Sequence, residues 1–426
     1  MADFHIEPST LKGDFWIPPS KSQTLRAILF AALANGVSTI THALSSPDSE
    51  AMIQAIQLLG AKVSKKSNGF EIQGVSGNLQ PADDVIDCGN SGIVFRFLTA
   101  LSGLNPNYTI LTGDASIRHQ RPIKQLLSAL EQLGAFAVSS RGDGYAPVVI
   151  RGPFLEGRAE LDGQDSQPVS ALLIAASFAP DPIELRIKNP GEKPWVDLTL
   201  HWLQKLGIVF ERKDHSLYRL QGNSQIEPFH YSVPGDFSSA AFPIAAALIT
   251  NSEITLQGLD FTDMQGDKAI LSTLQEMNAR LEIDPEKKTL KIPKNQTLRG
   301  TKIDVNHFID ALPILAVLGC FAEGETEIRN GLIARQKESD RIAAIARELK
   351  KMGADIEEMP DGLLVRKSTL RGAVLNSHLD HRIAMSLSIA ALGASSPSRI
   401  CDISCIDKTY PSFYADFSQK GAAISL

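Results

Sequence analysis

IQLLGAKV (residues 56–63) ends a helical pattern on a glycine and continues as an alternating, strand-like run. The phrase recurs as LEQLGAFAV (130–138), LQKLGIVF (203–210), LQEMNARLEI (274–283), LKKMGADIEE (349–358) and SQKGAAISL (418–426). Its anchors, Gly60, Gly134, Gly207, Asn278, Gly353 and Gly421, lie 74, 73, 71, 75 and 68 residues apart. Glycine and asparagine tolerate the positive φ with which many helices end, so each phrase reads as helix, left-handed stop, strand. Recurrence at one interval marks a repeat architecture. Six periods of about 71 residues account for all 426 residues of the chain.

Half a period away lies a second marker, an alanine-rich and almost wholly apolar helix. The six are TLRAILFAALANG (24–36), GIVFRFLTALSG (92–103), SQPVSALLIAASFAP (166–180), DFSSAAFPIAAALIT (236–250), FIDALPILAVLGCFAEG (308–324) and LDHRIAMSLSIAALGA (379–394). A helix apolar on every face is buried. Short Val/Ile runs bounded by Gly, Pro, Asn and Asp read as strands between them, so each period is roughly βαβαβ. An open solenoid is the alternative, but solenoid periods are shorter, roughly 20–50 residues, and alanine-rich central helices need cover on all sides. A chain beyond roughly 250–300 residues also outgrows a single core. Two globular domains of three repeats therefore fit, with the joint near Val233-Pro234-Gly235, where Pro and Gly interrupt the pattern.

Polar residues open the buried helices: Lys21-Ser22, Asn90-Ser91, Ser166-Gln167, Asp236, Asp310 and Asp380-His381-Arg382. Capping explains Ser, Asn and Asp. It does not explain Lys21 or Arg382, because a cation opposes the positive end of the helix dipole; cations there suggest a bound anion, held also by free backbone N–H groups. Arg121 in RHQRPIKQ, Lys337 and Arg341 in RQKESDRIAAI, and Lys408 in IDKTYP add basic groups. Each alone reads as a solvated surface charge. Lys337 and Arg341 are spaced for one helix face, with Glu338 beside them as a possible salt-bridge partner. Phosphates carry about −1.5 to −2 charges each, so a site for two of them needs several such cations.

Composition narrows the class. Forty-two basic against 48 acidic residues give a net charge of −6, unlike the basic surface of a nucleic-acid binder. No apolar run approaches the roughly 18 residues of a membrane span, and MADFHIEPST does not read as a secretory signal, so a cytoplasmic protein is expected. Cys88, Cys320, Cys401 and Cys405 have no CxxC spacing, and read as buried free thiols rather than disulfides or zinc ligands. No Walker loop, nucleotide fingerprint or metal-ligand cluster appears; CGNSGIVF lacks the GK[ST] of a P-loop. Neither cofactor nor metal is expected.

Nine motifs in order, PPSKSQTLRA (18–27), GNSG (89–92), QRPI (120–123), DSQ (165–167), GDFSSA (235–240), FIDALP (308–313), KESDR (337–341), DHR (380–382) and KTYP (408–411), resemble the EPSP synthase (3-phosphoshikimate 1-carboxyvinyltransferase) family of enolpyruvyl transferases. The resemblance covers essentially the whole chain. It implies an α/β (α+β) fold of two similar domains, each of three βαβαββ repeats around buried parallel helices, an inside-out α/β barrel. The first strand then belongs with the later repeats: residues 1–18 and 235–426 form one domain and 19–234 an inserted one, with the active site in the cleft between them.

By resemblance, Lys21, Ser22, Arg26, Ser166, Gln167, Trp195, Asp310 and Lys337 bind 3-phosphoshikimate. Lys21, Asn90, Gly92, Arg121, Gln167, Arg341, Arg382 and Lys408 surround phosphoenolpyruvate. Asp310 receives the proton of the shikimate 5-hydroxyl, while Glu338 and Lys21 exchange protons with the methylene carbon. The implied protein is a monomer acting on small molecules in aromatic amino-acid biosynthesis, with no nucleic-acid or membrane partner. Three positions depart from the pattern: Trp195 stands where a tyrosine is frequent, Asp165 where a serine is common, and Ile333 where some members have an asparagine. Gly92 leaves room beside the donor, with Ile93 and Phe97 behind it. UDP-N-acetylglucosamine enolpyruvyl transferases share fold and donor, but typically carry a reactive cysteine where this chain has Ser116 and an asparagine where it has Ser22. RNA 3′-phosphate cyclases share parts of the architecture, and a non-catalytic binding protein is a further alternative.

Overall fold

The computed structural model describes residues 2–155 and 157–426. All six anchors of the repeated phrase are left-handed: Gly60 (φ 101°), Gly134 (90°), Gly207 (75°), Asn278 (68°), Gly353 (89°) and Gly421 (106°). Each follows a helix, as Gly60 follows Pro47–Leu58 and Gly207 follows Lys193–Lys205, and each precedes a strand, here Lys62–Lys66 and Phe210–Lys213. The stop is needed because the next strand must turn back onto its sheet, and only a residue that accepts positive φ can end the helix so abruptly.

Among the described residues the strands form six four-stranded sheets of one pattern. In the second, Ile86–Asp87 pairs parallel with Thr109–Thr112, which pairs antiparallel with Val148–Arg151, and Phe136–Ser139 lies outermost. Three sheets take a strand from a distant part of the chain. His230–Ser232 lies parallel to Val37–Thr41, and Lys12–Trp16 parallel to Glu253–Gln257. Phe4–Glu7 sits between Ser398–Cys401 and Ala423–Ser425, pairing antiparallel with both. The chain accordingly divides into two compact units, one of residues up to Ser20 together with Pro234–Leu426, the other Lys21–Val233.

Each unit has its own core. In Lys21–Val233 the apolar helices Lys21–Leu33, Gly92–Ser102 and Ser166–Ser177 are buried along nearly their whole length. Ser102 and Ser177 return their hydroxyls to the carbonyls of Leu98 and Leu173 four residues back, which lets polar side chains sit in this core. The other unit buries Phe237–Ile249, Leu312–Phe321 and His381–Leu392.

Three details correct the sequence reading. The fifth apolar helix begins at Leu312, and Asp310 lies before it in a 3-10 segment, Asn306–Ala311, broken at Phe308 (φ −145°, ψ 53°). Pro313 in the first turn favours a helix start there, so Asp310 is not a cap. Lys337 and Arg341 do not share a helix: Lys337 follows the 3-10 segment Leu332–Gln336, and the helix Arg341–Lys351 starts after Asp340, whose carboxylate accepts from the Ala343 N–H. The four cysteines are free, but only Cys88 and Cys320 are buried; Cys401 and Cys405 are half-buried.

Gly207 has nothing within 4 Å of an added Cβ, so Gly207→Ala introduces backbone strain without a clash. A loss of about 1–2 kcal/mol is expected, seen as a lower urea midpoint. An unchanged midpoint would show that the repeat does not depend on the left-handed stop.

Candidate active site

In the unit Lys21–Val233 the starts of the three core helices are linked by side chains, so they lie at one end of that unit. Lys21 opens the first, and its Nζ is 3.7 Å from the buried carboxylate of Asp48. Asp48 accepts a hydrogen bond from Ser91 Oγ (3.0 Å), and Ser91 caps the second helix by accepting from the Val94 N–H. Gly92 follows. A Cβ there would lie 2.7 Å from Arg121 Nη1, 2.8 Å from Arg96 Nη1 and 3.2 Å from Gln167 Oε1. The missing side chain is what lets two guanidinium groups and an amide approach the helix start. Arg96 donates to Gln167 Oε1 (3.0 Å) and pairs with Asp165 (3.1 Å), which caps the third helix through the Gln167 N–H.

Asn90 turns its oxygen to Arg121 Nη2 (3.4 Å), and its amide donates to Asp114 (2.6 Å) and Ser116 Oγ (3.0 Å). Burial pushes the Asp114 carboxyl up, but hydrogen bonds from Asn90, the Ile117 N–H and Ser116, with the charge of Arg121, outweigh it and hold Asp114 below the usual carboxylate range. Half-buried Ser22 offers its carbonyl to Arg26. Arg26 also donates to Thr199 Oγ1 and to the carbonyl of half-buried Trp195, and its guanidinium lies 5.3 Å from the centre of the Phe97 ring. Among the described residues no carboxylate pairs with Arg26, and burial pulls its pKa down to about 9. A buried guanidinium without a counter-charge is costly unless an anion completes it.

In the other unit the cations are already paired. Arg341, 1% exposed, donates from Nη1 to Asp310 (2.7 Å), from Nη2 to Glu338 (2.8 Å), and from Nε to Asp380 (2.8 Å). Burial would lower its pKa, but the charges of Asp380, Glu338 and Asp310 drive it well above the ordinary arginine value. Arg382 reaches the other Asp310 oxygen (3.2 Å) and the Ser238 carbonyl (3.1 Å), and Ser238 in turn donates to Asp236, the cap of its helix. Lys408 donates to Glu338 (2.7 Å). Lys337 sits half-buried immediately before Glu338.

Arg121, Arg341 and Lys408, which singly read as surface charges, are 5%, 1% and 5% exposed. Arg341, Arg382 and Lys408 form one balanced cluster with Asp310, Glu338 and Asp380 in their unit rather than a bare basic patch, because buried cations need counter-charges. Glu338, Asp380 and His381 offer ligand atoms within 4.8 Å of one another. Ammonium and guanidinium groups already bond to these carboxylates, and that is a poor donor set for a metal.

Asp380 is the member of this cluster that motif reading took only as a helix cap. It does cap, accepting from the Arg382 N–H (2.9 Å), and it also accepts from Ser339 and from Arg341 Nε. Its role as a counter-charge was not legible, because 39 residues separate it from Arg341. The three departures also find places. Asp165 pairs with Arg96, Trp195 lends Arg26 its carbonyl, and Ile333 packs in the apolar core of its unit. Asn caps as well as Asp does, so Asp380→Asn keeps the helix start while removing the charge that orients Arg341. Turnover is expected to fall by about 10–100-fold, and the melting temperature to fall with it, because Arg341 loses a buried counter-charge. Unaltered turnover would reduce Asp380 to a cap.

A family model of EPSP synthase (3-phosphoshikimate 1-carboxyvinyltransferase) matches residues 6–417. A Chlamydia caviae protein named 3-phosphoshikimate 1-carboxyvinyltransferase is 46% identical over 415 residues, which is 97% of this chain and 92% of the relative. A protein of the same name from Acetivibrio thermocellus is 42% identical over 99% of this chain and 98% of its own length. Among solved structures, an EPSP synthase from Acinetobacter baumannii aligns with 100% of this chain and 99% of its own, at TM-score 0.83 and 28% identity. The chain belongs to the EPSP synthase family.

Proposed function

We infer that the chain transfers the enolpyruvyl group of phosphoenolpyruvate to the 5-hydroxyl of 3-phosphoshikimate, giving 5-enolpyruvylshikimate-3-phosphate and phosphate. Family membership supports the reaction. The observation that carries the assignment of roles is the sharing of Arg341 between Asp310 and Glu338, which fixes two carboxylates relative to one another. Asp310 takes the proton of the 5-hydroxyl as its oxygen attacks the enol carbon. By resemblance, Glu338 and Lys21 exchange protons with the methylene carbon, which gains one as the tetrahedral ketal forms. Phosphate then leaves, the methyl group returns a proton, and the carbon–carbon double bond re-forms. Arg341, Arg382 and Lys408 are assigned to the donor, where cations stabilise the charge that builds on the departing phosphate. Asn90, Gly92, Arg121 and Gln167 are assigned to the donor as well. Ser22, Arg26, Ser166, Gln167, Trp195 and Lys337 are assigned to the acceptor. Arg26 fits an acceptor carboxylate because it is buried with none beside it among the described residues.

The rival acceptor, UDP-N-acetylglucosamine, finds less support. At the place of that family's cysteine stands the hydroxyl of Ser116, which donates to Asp114 (2.8 Å) and accepts from Asn90. With the reading goes the expectation of a monomeric, cytoplasmic enzyme; among the described residues no helix is long and apolar enough to cross a membrane.

Asp310→Ala and Glu338→Ala should each lower turnover of phosphoenolpyruvate with 3-phosphoshikimate by about 10²–10⁴-fold, the usual worth of a positioned proton-transfer group. Near-normal rates in both variants would remove them from these roles.

A further inference from the structure

The helix Ser166–Ser177 begins with two of the chain's own carboxylates on its free N–H groups. Asp165 accepts from the Gln167 N–H (3.0 Å). Glu192, 26 residues further on, accepts from the Ser166 N–H (3.0 Å) and from the Ser166 hydroxyl (3.1 Å) with a single oxygen. Glu192 is 2% exposed and held in the left-handed region (φ 42°, ψ 38°), a costly conformation for a residue with a side chain. The neighbouring Gly191 runs so close to the opposite loop that a Cβ would meet the Gln164 carbonyl at 2.7 Å. Backbone strain and close packing together press this carboxylate onto Ser166.

The two anion positions assigned to the acceptor are therefore treated in opposite ways. At Arg26 the described residues leave a buried cation without a carboxylate. At Ser166, a residue assigned to the acceptor, the chain supplies a carboxylate on the helix-start N–H that would suit the acceptor's phosphate. A phosphate of about −1.5 to −2 charges arriving there must replace Glu192 on the N–H and the hydroxyl, and must do so beside a like charge. We propose that Glu192 is a specificity-determining residue that competes with the acceptor's phosphate for Ser166, so that its displacement is built into the affinity for a phosphorylated acceptor. This rests on the assignment of Ser166 to the acceptor.

Glu192→Gln keeps an oxygen for the Ser166 N–H and hydroxyl while removing the charge; Glu192→Ser removes the competitor altogether. KM and kcat are measured with 3-phosphoshikimate, and calorimetric Kd with 3-phosphoshikimate and with shikimate lacking the phosphate. Both variants should lower KM and Kd for 3-phosphoshikimate by about tenfold or more, with a smaller change in kcat, while Kd for shikimate moves by less than about twofold. Unchanged or raised values in a Glu192→Gln protein that melts like the wild type would overturn the proposal, as would equal tightening of both acceptors. Should Glu192→Ser not fold, Glu192→Gln decides alone. Wild-type protein that releases no phosphate with 3-phosphoshikimate would instead refute the acceptor assignment itself.

Discussion

A guanidinium removed from water must be met on its N–H groups by acceptors of opposite charge, or the fold bears the full desolvation penalty. Arg341 meets that constraint with Asp310, Glu338 and Asp380. The rest of the cluster follows from it. Asp310 spends one oxygen on Arg341 and offers the other to Arg382; Glu338 does the same with Arg341 and Lys408. Each carboxylate is thus held by two cations and cannot rotate freely. The arrangement that satisfies the buried charge is also the one that fixes the proposed acid and base, so stability and function draw on the same contacts. On the proposed assignment, an anionic donor at this cluster would redistribute existing ion pairs rather than fill an empty basic patch.

The repeat makes this clustering possible. Within each unit the core helices start near one another, and each start is a place where free N–H groups and short loops bring distant sequence together. Residues from around 238, 310, 341, 382 and 408 meet in one unit, and residues from around 21, 48, 90, 121 and 167 meet in the other. Strands borrowed across the chain complete the first, fourth and sixth sheets, so the ends of each unit are tied to its own core.

Much of this was legible in sequence because it is periodic. The left-handed stops, the six apolar helices and the cations at Lys21 and Arg382 all follow from local rules of period, capping and dipole. What escaped was non-local. Capping chemistry identified Asp380 as a helix start but could not see Arg341. Helical spacing placed Lys337 and Arg341 on one face, whereas the Asp340 cap starts the helix between them. Glu192 carried no signal at all, since its contact with Ser166 depends on a left-handed residue that is not glycine. The choice of reaction came from the ordered motifs, not from any single charge.

The account stands most directly on the acceptor. Purified chain is given phosphoenolpyruvate with either 3-phosphoshikimate or UDP-N-acetylglucosamine, and phosphate release is followed together with the mass of the product. Release with 3-phosphoshikimate alone, with an enolpyruvyl ether as product, is the predicted result. Release only with the nucleotide sugar, or with neither, would contradict it.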